Sequence, residues 1–248
     1  MSETYTPWNK YFWGAVLGIV MLFGINTCVP PPAFALPIEE LTDNFYNQAV
    51  DPSVQIRGKD GKCSGTIISK KKITANAYAY QVLTARHCIN PSQSEYEIQI
   101  NDWDGILLSS PETVYGHVTR VHKTVDLAIF EFSSFMNYEV ANIMSTDDFK
   151  KLKLGQDAVL VSYPNGLQQV VSEGVISRLE WAFFPNNMNI YLRCSAEGTT
   201  GSSGSSLFIK NPEDNYEIVG VLSWGFSQDE SGAYYVPAPI INEFLKGI

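Results

Sequence analysis

From Ser53 onward, short runs of apolar and β-branched residues are cut at even spacing by turn residues. SVQIRG (53–58) runs into Lys-Asp-Gly, CSGTIIS (63–69) into three lysines, and AYAYQVLTA (77–85) into Arg86-His87-Cys88. In YEIQI, Tyr96, Ile98 and Ile100 fall on one face, the period of a half-buried strand. VYGHVTRVH and DLAIFEF continue the series, and the polar residues 137–154 read as a connector. A second series follows: DAVLVSYP, QVVSEGVISRL, MNIYLRC, SSLFIK, YEIVGVLSW and AYYVPAP. Strands so short and so numerous predict an all-β chain of barrels or a sandwich. Two stretches depart from this period. PIEELTDNFYNQAV (37–50) has modest helical character, and PIINEFLKGI (239–248) has a helical apolar pattern that would cap the end.

The first 35 residues follow a different pattern. Tyr11 to Ile25 is a run of 15 uncharged residues behind Lys10. That is short for a membrane helix, which needs about 20. It suits the apolar region of a signal peptide, and Ala33-Phe34-Ala35 offers small residues for cleavage before Leu36. The positive n-region is weak, because Glu3 offsets Lys10. Three readings stand: a cleaved signal, an uncleaved anchor and a buried core helix. Either of the first two takes the chain out of the cytoplasm, and a membrane is a partner only for the anchor. Asn26-Thr27 before Cys28 are not the small residues that lipoprotein processing requires.

Composition narrows the function classes. The 248 residues are 45% hydrophobic and 12% aromatic, enough for a large packed core and against disorder. A net charge of −9 excludes a nucleic-acid footprint. Lys70-Lys71-Lys72 reads as a solvated turn. Of the four cysteines, Cys28 would leave with a cleaved signal. Cys63, Cys88 and Cys194 remain, an odd set in which two are expected to pair in an exported chain. No Cys-x-x-Cys or Cys/His cluster points to zinc, so no metal is expected.

Chemistry concentrates in three places. LTARHC sets His87 just after an apolar strand, TVDLAIF sets Asp126 just before another, and GTTGSSGSSLF (198–208) sets Ser203 between glycines. By composition the last is a linker. In company with the other two it reads as a tight turn carrying a nucleophile. Serine is a weak nucleophile that needs a neighbouring base, and an aspartate can fix the histidine tautomer. Gly201 and Gly204 would let the N–H groups of Gly201 and Ser203 converge on a developing oxyanion. His117 and His122 lack such context and read as surface strand positions.

These motifs resemble those of the trypsin/chymotrypsin-like serine proteases, in particular the HtrA-like and glutamyl-endopeptidase-like bacterial branches. TARHC resembles the histidine motif, with Arg86 where alanine is commoner. DLAI resembles the aspartate motif, and GSSGSS the nucleophile loop, with Ser206 where proline is usual. LGQDAVLVSYPNGLQQVVSEGVIS follows an HtrA-like run, and LSWG resembles the segment that pairs with substrate backbone. The resemblance spans roughly residues 52–245 and concerns the protease unit, without a PDZ domain. It implies two six-stranded antiparallel β-barrels with a C-terminal helix. Their bounds would be 53–137 and 154–248, joined by a connector at 138–153 and preceded by an N-terminal segment at 36–52. It implies an exported serine endopeptidase that works through His87, Asp126, Ser203 and an acyl-enzyme on a protein or peptide substrate. Gly201 and Ser203 would form the oxyanion hole, and no cofactor is required. A Cys63–Cys88 disulfide would brace the histidine loop and leave Cys194 free.

Specificity is less legible. Family spacing carries Glu197 to the base of the substrate pocket, where it would select Lys or Arg. Thr199 stands in place of the cysteine that anchors that loop, so a solvated Glu197 is the competing reading. Ser223, Trp224, Gly225 and Gly232 would line the substrate site. Leu222 stands where glutamyl endopeptidases use histidine, which disfavours acidic substrates. Ser202 replaces the aspartate that pairs with a new N-terminus in animal enzymes, so zymogen activation of that kind is not expected. The rival class is a catalytically silent homologue that uses the same barrels as a binding or adhesion module.

Overall fold

A computed structural model describes residues 43–101, 103–104, 107–108, 111–183, 188–225 and 232–246. The signal-like segment, Leu36 and Cys28 lie outside the described residues. None of the helices among the described residues is long and apolar enough to cross a membrane.

Six strands close the first barrel: β1 (Ser53–Arg57), β2 (Lys62–Lys72), β3 (Tyr78–Thr84), β4 (Tyr96–Ile100), β7 (Glu112–Val121) and β8 (Ala128–Ser134). They pair antiparallel in the order β1-β2-β3-β8-β7-β4, and β4 returns to β1. The short pair β5 (Trp103–Asp104) and β6 (Leu107–Leu108) stands apart. Alternation decides which face turns inward. Tyr96, Ile98 and Ile100 of β4 join Val54, Ile56, Ile67, Tyr80, Val82 and Phe130 in one core, while Glu97 and Gln99 face outward.

The second barrel is built from β10 (Asp157–Ser162), β11 (Val170–Phe183), β12 (Met188–Cys194), β13 (Ser206–Lys210), β14 (Tyr216–Gly225) and β15 (Ala233–Pro237). The ring closes because β13 pairs with both β10 and β14. Its interior holds Leu160, Ile176, Leu192, Leu207, Val219 and Tyr235. A third apolar cluster draws Leu83, Leu127 and Ile129 from the first barrel and Val161, Phe208 and Val221 from the second. Fully burying each such side chain stabilises by about 1.5–3 kcal/mol, which welds the two barrels along one seam. The helical turns at 43–50 and the helix Ala238–Leu245 lay Phe45, Ala49, Ile241 and Phe244 on that seam.

One local expectation needs correction. The lysines are not a turn: β2 continues through Lys72, and the chain reverses at residues 73–77. Lys70 is opposite Tyr80 in register, its ammonium near the Tyr78 ring and bonded to Asn137 Oδ1 (2.9 Å). Long side chains on an outward strand end stay solvated as well as on a turn, so polarity misread the element. The polar stretch read as a connector carries short elements of its own. It contains β9 (Asn142–Ile143), which adds parallel to β14, and the short helix Thr146–Phe149 capped by Ser145.

Candidate active site

His87 sits in a single 3₁₀ turn, Arg86–Cys88, that ends β3. The adjacent Cys88 is joined by a disulfide to Cys63 of β2, with 6.1 Å between the Cα atoms. Among the described residues Cys194 is the free, buried cysteine, its thiol pKa pushed up by burial. Asp126 lies on the turn between β7 and β8 and is 5% exposed. Its carboxylate accepts three hydrogen bonds. The His87 backbone N–H reaches Oδ1 at 2.9 Å, while His87 Nδ1 (2.7 Å) and Ser223 Oγ (2.6 Å) reach Oδ2. Three donors offset the desolvation of an aspartate this deeply buried. They also require the proton on Nδ1, which leaves Nε2 as the basic nitrogen.

Ser223 reaches Asp126 because β14 is bulged there. Leu222 pairs with Tyr235 and Trp224 with Tyr234, so Ser223 is the extra residue, and the bulge re-aims its side chain inward.

Ser203 is half-buried on the loop before β13. Its carbonyl accepts from Ser64 N–H of β2 at 2.8 Å. The flanking glycines are needed where they stand. Gly204 has φ +83°, and a Cβ there would lie 2.1 Å from Thr84 Oγ1 and 2.9 Å from the Ala85 nitrogen. That close approach sets the serine loop against the strand end that leads into His87. Gly201 has φ +90° and meets Tyr163 and Asn165 backbone at under 3 Å in the same sense. Among the described residues, the N–H groups of Gly201 and Ser203 are donated to no protein acceptor. Ser202, between them, is fully buried and bonded to Ser162 Oγ at 3.1 Å, a neutral pairing.

The residues expected on the substrate side divide. Trp224 stacks on Tyr234 at 4.2 Å, with Tyr191 edge-on to both. Burial and the Asp126 charge raise the Tyr191 phenol above its ordinary value. Gly225 faces the Gly198 carbonyl so closely that a Cβ on it would lie 3.0 Å from the oxygen, and Gly232 has φ +116° against Cys194 O. Leu222 is buried against Gly198. Glu197 is exposed.

Two residues that sequence reasoning left unassigned hold the Asp126 turn. His122 is not a strand-surface residue. It lies just past β7, and its Nδ1 accepts the N–H groups of Thr124 (3.1 Å) and Val125 (2.8 Å). Its ring meets Phe244 edge-on at 5.5 Å. Burial, then Arg86 and Arg120, lower its pKa below the ordinary 6.5, so it stays neutral and able to accept. Arg86 donates to Lys123 O at 2.6 Å and thereby ties the histidine turn to the aspartate turn. The departure from alanine in TARHC was the available signal. His117 is exposed on β7.

A carboxylate-held histidine and a glycine-flanked serine, carried on two closed six-stranded antiparallel barrels, define the chymotrypsin-like class of serine endopeptidases. The chain belongs to the trypsin-like peptidase domain family, whose model matches residues 63–221. It is 26% identical over 189 residues to the putative protease Do-like 3, mitochondrial, of Arabidopsis thaliana, covering 75% of this chain but only 29% of that protein. Rat (Rattus norvegicus) chymotrypsin-C is 23% identical over 91% of this chain and 94% of its own length. Among solved structures, the active form of the M. tuberculosis Rv3671c protease aligns with a TM-score of 0.61 at 18% identity, over 79% of this chain and 80% of that one. Deg5 aligns at 0.59 and 17%, over 80% and 88%.

Proposed function

We propose that the chain hydrolyses peptide bonds with Ser203 as nucleophile. His87 Nε2 takes the serine proton as Oγ attacks the scissile carbonyl, then delivers it to the leaving amine. Asp126 keeps the imidazole in that tautomer and stabilises the imidazolium that forms. The Gly201 and Ser203 N–H groups receive the tetrahedral oxyanion, a contribution of about 3–4 kcal/mol per donor. Water, activated by the same histidine, then releases the acyl group. The observation that carries this reading is the triple acceptance at Asp126: a buried carboxylate that aligns a half-exposed imidazole has a use in proton transfer and none in adhesion. The substrate is a protein or peptide, with Ser223, Trp224, Gly225 and Gly232 beside its backbone, and neither metal nor organic cofactor enters a step. Strand bounds of 53–134 and 157–237 favour the division into barrels at 53–137 and 154–248.

A fluorophosphonate probe tests the mechanism. Labelling confined to Ser203, abolished by Ser203→Ala, is expected. A folded protein that refuses the probe would favour the binding-module reading. We further propose export and cleavage before Leu36, on the uncharged run and Ala33-Phe34-Ala35. The mitochondrial Do-like relatives make organelle import the competing destination. Intact mass of the protein from its native host decides: a start at Leu36 supports a signal peptide, and a start at Met1 supports an anchor.

A further inference from the structure

The oxyanion donors point the right way only while the backbone around Gly201 holds one orientation. In a trans peptide, the carbonyl of one residue and the N–H of the next point in opposite directions. Anchoring the carbonyl therefore aims the N–H. Asn165 N–H donates to Thr200 O at 2.6 Å, which turns the Gly201 N–H the other way. Ser205 donates to Ser202 O through its N–H (3.0 Å) and hydroxyl (2.6 Å), which does the same for the Ser203 N–H. Between these two peptides lies the Gly201–Ser202 peptide, and Gly201, at φ +90° and without a Cβ, is its pivot.

One side chain holds the pivot. Ser64, 1% exposed on β2, donates its hydroxyl to Gly201 O at 2.9 Å and accepts the Tyr163 N–H at 3.0 Å. Its own N–H donates to Ser203 O at 2.8 Å, and its carbonyl accepts from Thr84 Oγ1 at 2.7 Å. It thus links the serine loop, the Tyr163–Asn165 turn of the second barrel and the strand end before His87. We infer that Ser64 is a positioning residue for the oxyanion hole: its hydroxyl fixes the Gly201 carbonyl and so keeps both donors convergent. This rests on the serine-peptidase reading above. It adds a residue from the first barrel to a hole built on the second.

The test is Ser64→Ala, with every rate normalised to sites titrated by the fluorophosphonate. Removing an oxyanion donor outright costs ~10²–10³ in kcat, so a displaced donor is expected to cost roughly 10- to 100-fold. KM should stay within about twofold, because the ground-state substrate places little charge there. Affinity for a peptidyl boronate, whose tetrahedral adduct occupies the hole, should fall by the same factor as kcat. Ser64→Thr, which keeps the hydroxyl, should restore most of the loss. A purely structural role would lower the number of titratable sites and leave kcat per site untouched; that result overturns the inference. If Ser64→Ala fails to fold, Ser64→Cys, near in shape but a weak donor, carries the same measurements, and an unchanged kcat per site overturns it equally. A wild-type protein that neither takes the probe nor cleaves peptides overturns the peptidase reading, and this inference with it. An active wild type beside an unaffected variant overturns this inference alone.

Discussion

Removing the Cys63–Cys88 bridge separates two effects that the sequence would merge. The bridge spans 25 residues, so the chain-entropy model assigns it about 3.5 kcal/mol, acting through the unfolded chain. Within that loop β3 is already held by β2 on one side and β8 on the other, so the barrel should survive Cys63→Ala/Cys88→Ala. At a urea m-value of about 3 kcal/mol per M, the unfolding midpoint should fall by ~1.2 M. The local effect is different. The His87 turn loses its covalent tie to β2 and keeps the Cys88 N–H to Ala85 O bond (3.2 Å) and the Asp126 contacts. A base free to drift by a fraction of an ångström loses proton-transfer geometry, so kcat/KM should fall by ~10-fold or more under conditions where the protein is fully folded. Urea unfolding and peptide turnover, measured on the same non-reduced samples, check both. An unchanged midpoint would refute the tether argument. A lowered midpoint with unchanged kcat/KM would show that the barrel alone positions His87.

Ser203→Ala should leave the unfolding midpoint in place and abolish turnover to within the residual that binding and the oxyanion hole supply, a loss of several orders of magnitude by progress-curve assay. Asp126→Asn should lower kcat by ~10³–10⁴, because the amide can donate to His87 Nδ1 and so stabilises the wrong tautomer; a loss under tenfold would refute the tautomer argument. The lowered His122 pKa means that the folded state prefers the neutral ring. Its stabilising contribution is therefore complete above about 6.5 and is lost as pH falls through the lowered folded value. Thermal unfolding across that window should fall more steeply for wild type than for His122→Asn, whose amide oxygen accepts without titrating; equal slopes would remove His122 from the pH response. Gly204→Ala would force a Cβ to 2.1 Å from Thr84 Oγ1 at φ +83°, so a loss above ~2 kcal/mol is expected in urea unfolding.

The strand order was open to local reading because a half-buried strand writes its burial into every second residue. Tyr96, Ile98 and Ile100 declare an inward face whatever they pack against. His87, Asp126 and Ser203 could be picked out as candidates for a related reason: each stands beside a strand end in a short context of its own, and Ser203 has Gly201 and Gly204, both at positive φ, around it. The free Cys194 and the Cys63–Cys88 pair followed from the same family pattern. What the linear chain could not carry was pairing between residues about a hundred or more positions apart. Ser64 is one serine among many until Gly201, 137 positions on, presents its carbonyl. Ser223 finds Asp126 only because β14 bulges, and His122 meets the Phe244 ring only when the C-terminal helix lies along the seam. Lys70 and Glu197 show the same limit from the surface side, since polarity reports exposure and says nothing of strand or turn, pocket or loop. Periodicity is a property of a segment, and the sequence states it alone. Convergence of hydrogen-bonding groups is a property of the closed barrels, because only their seam brings β2, the Asp126 turn, the bulge of β14 and the serine loop within bonding distance.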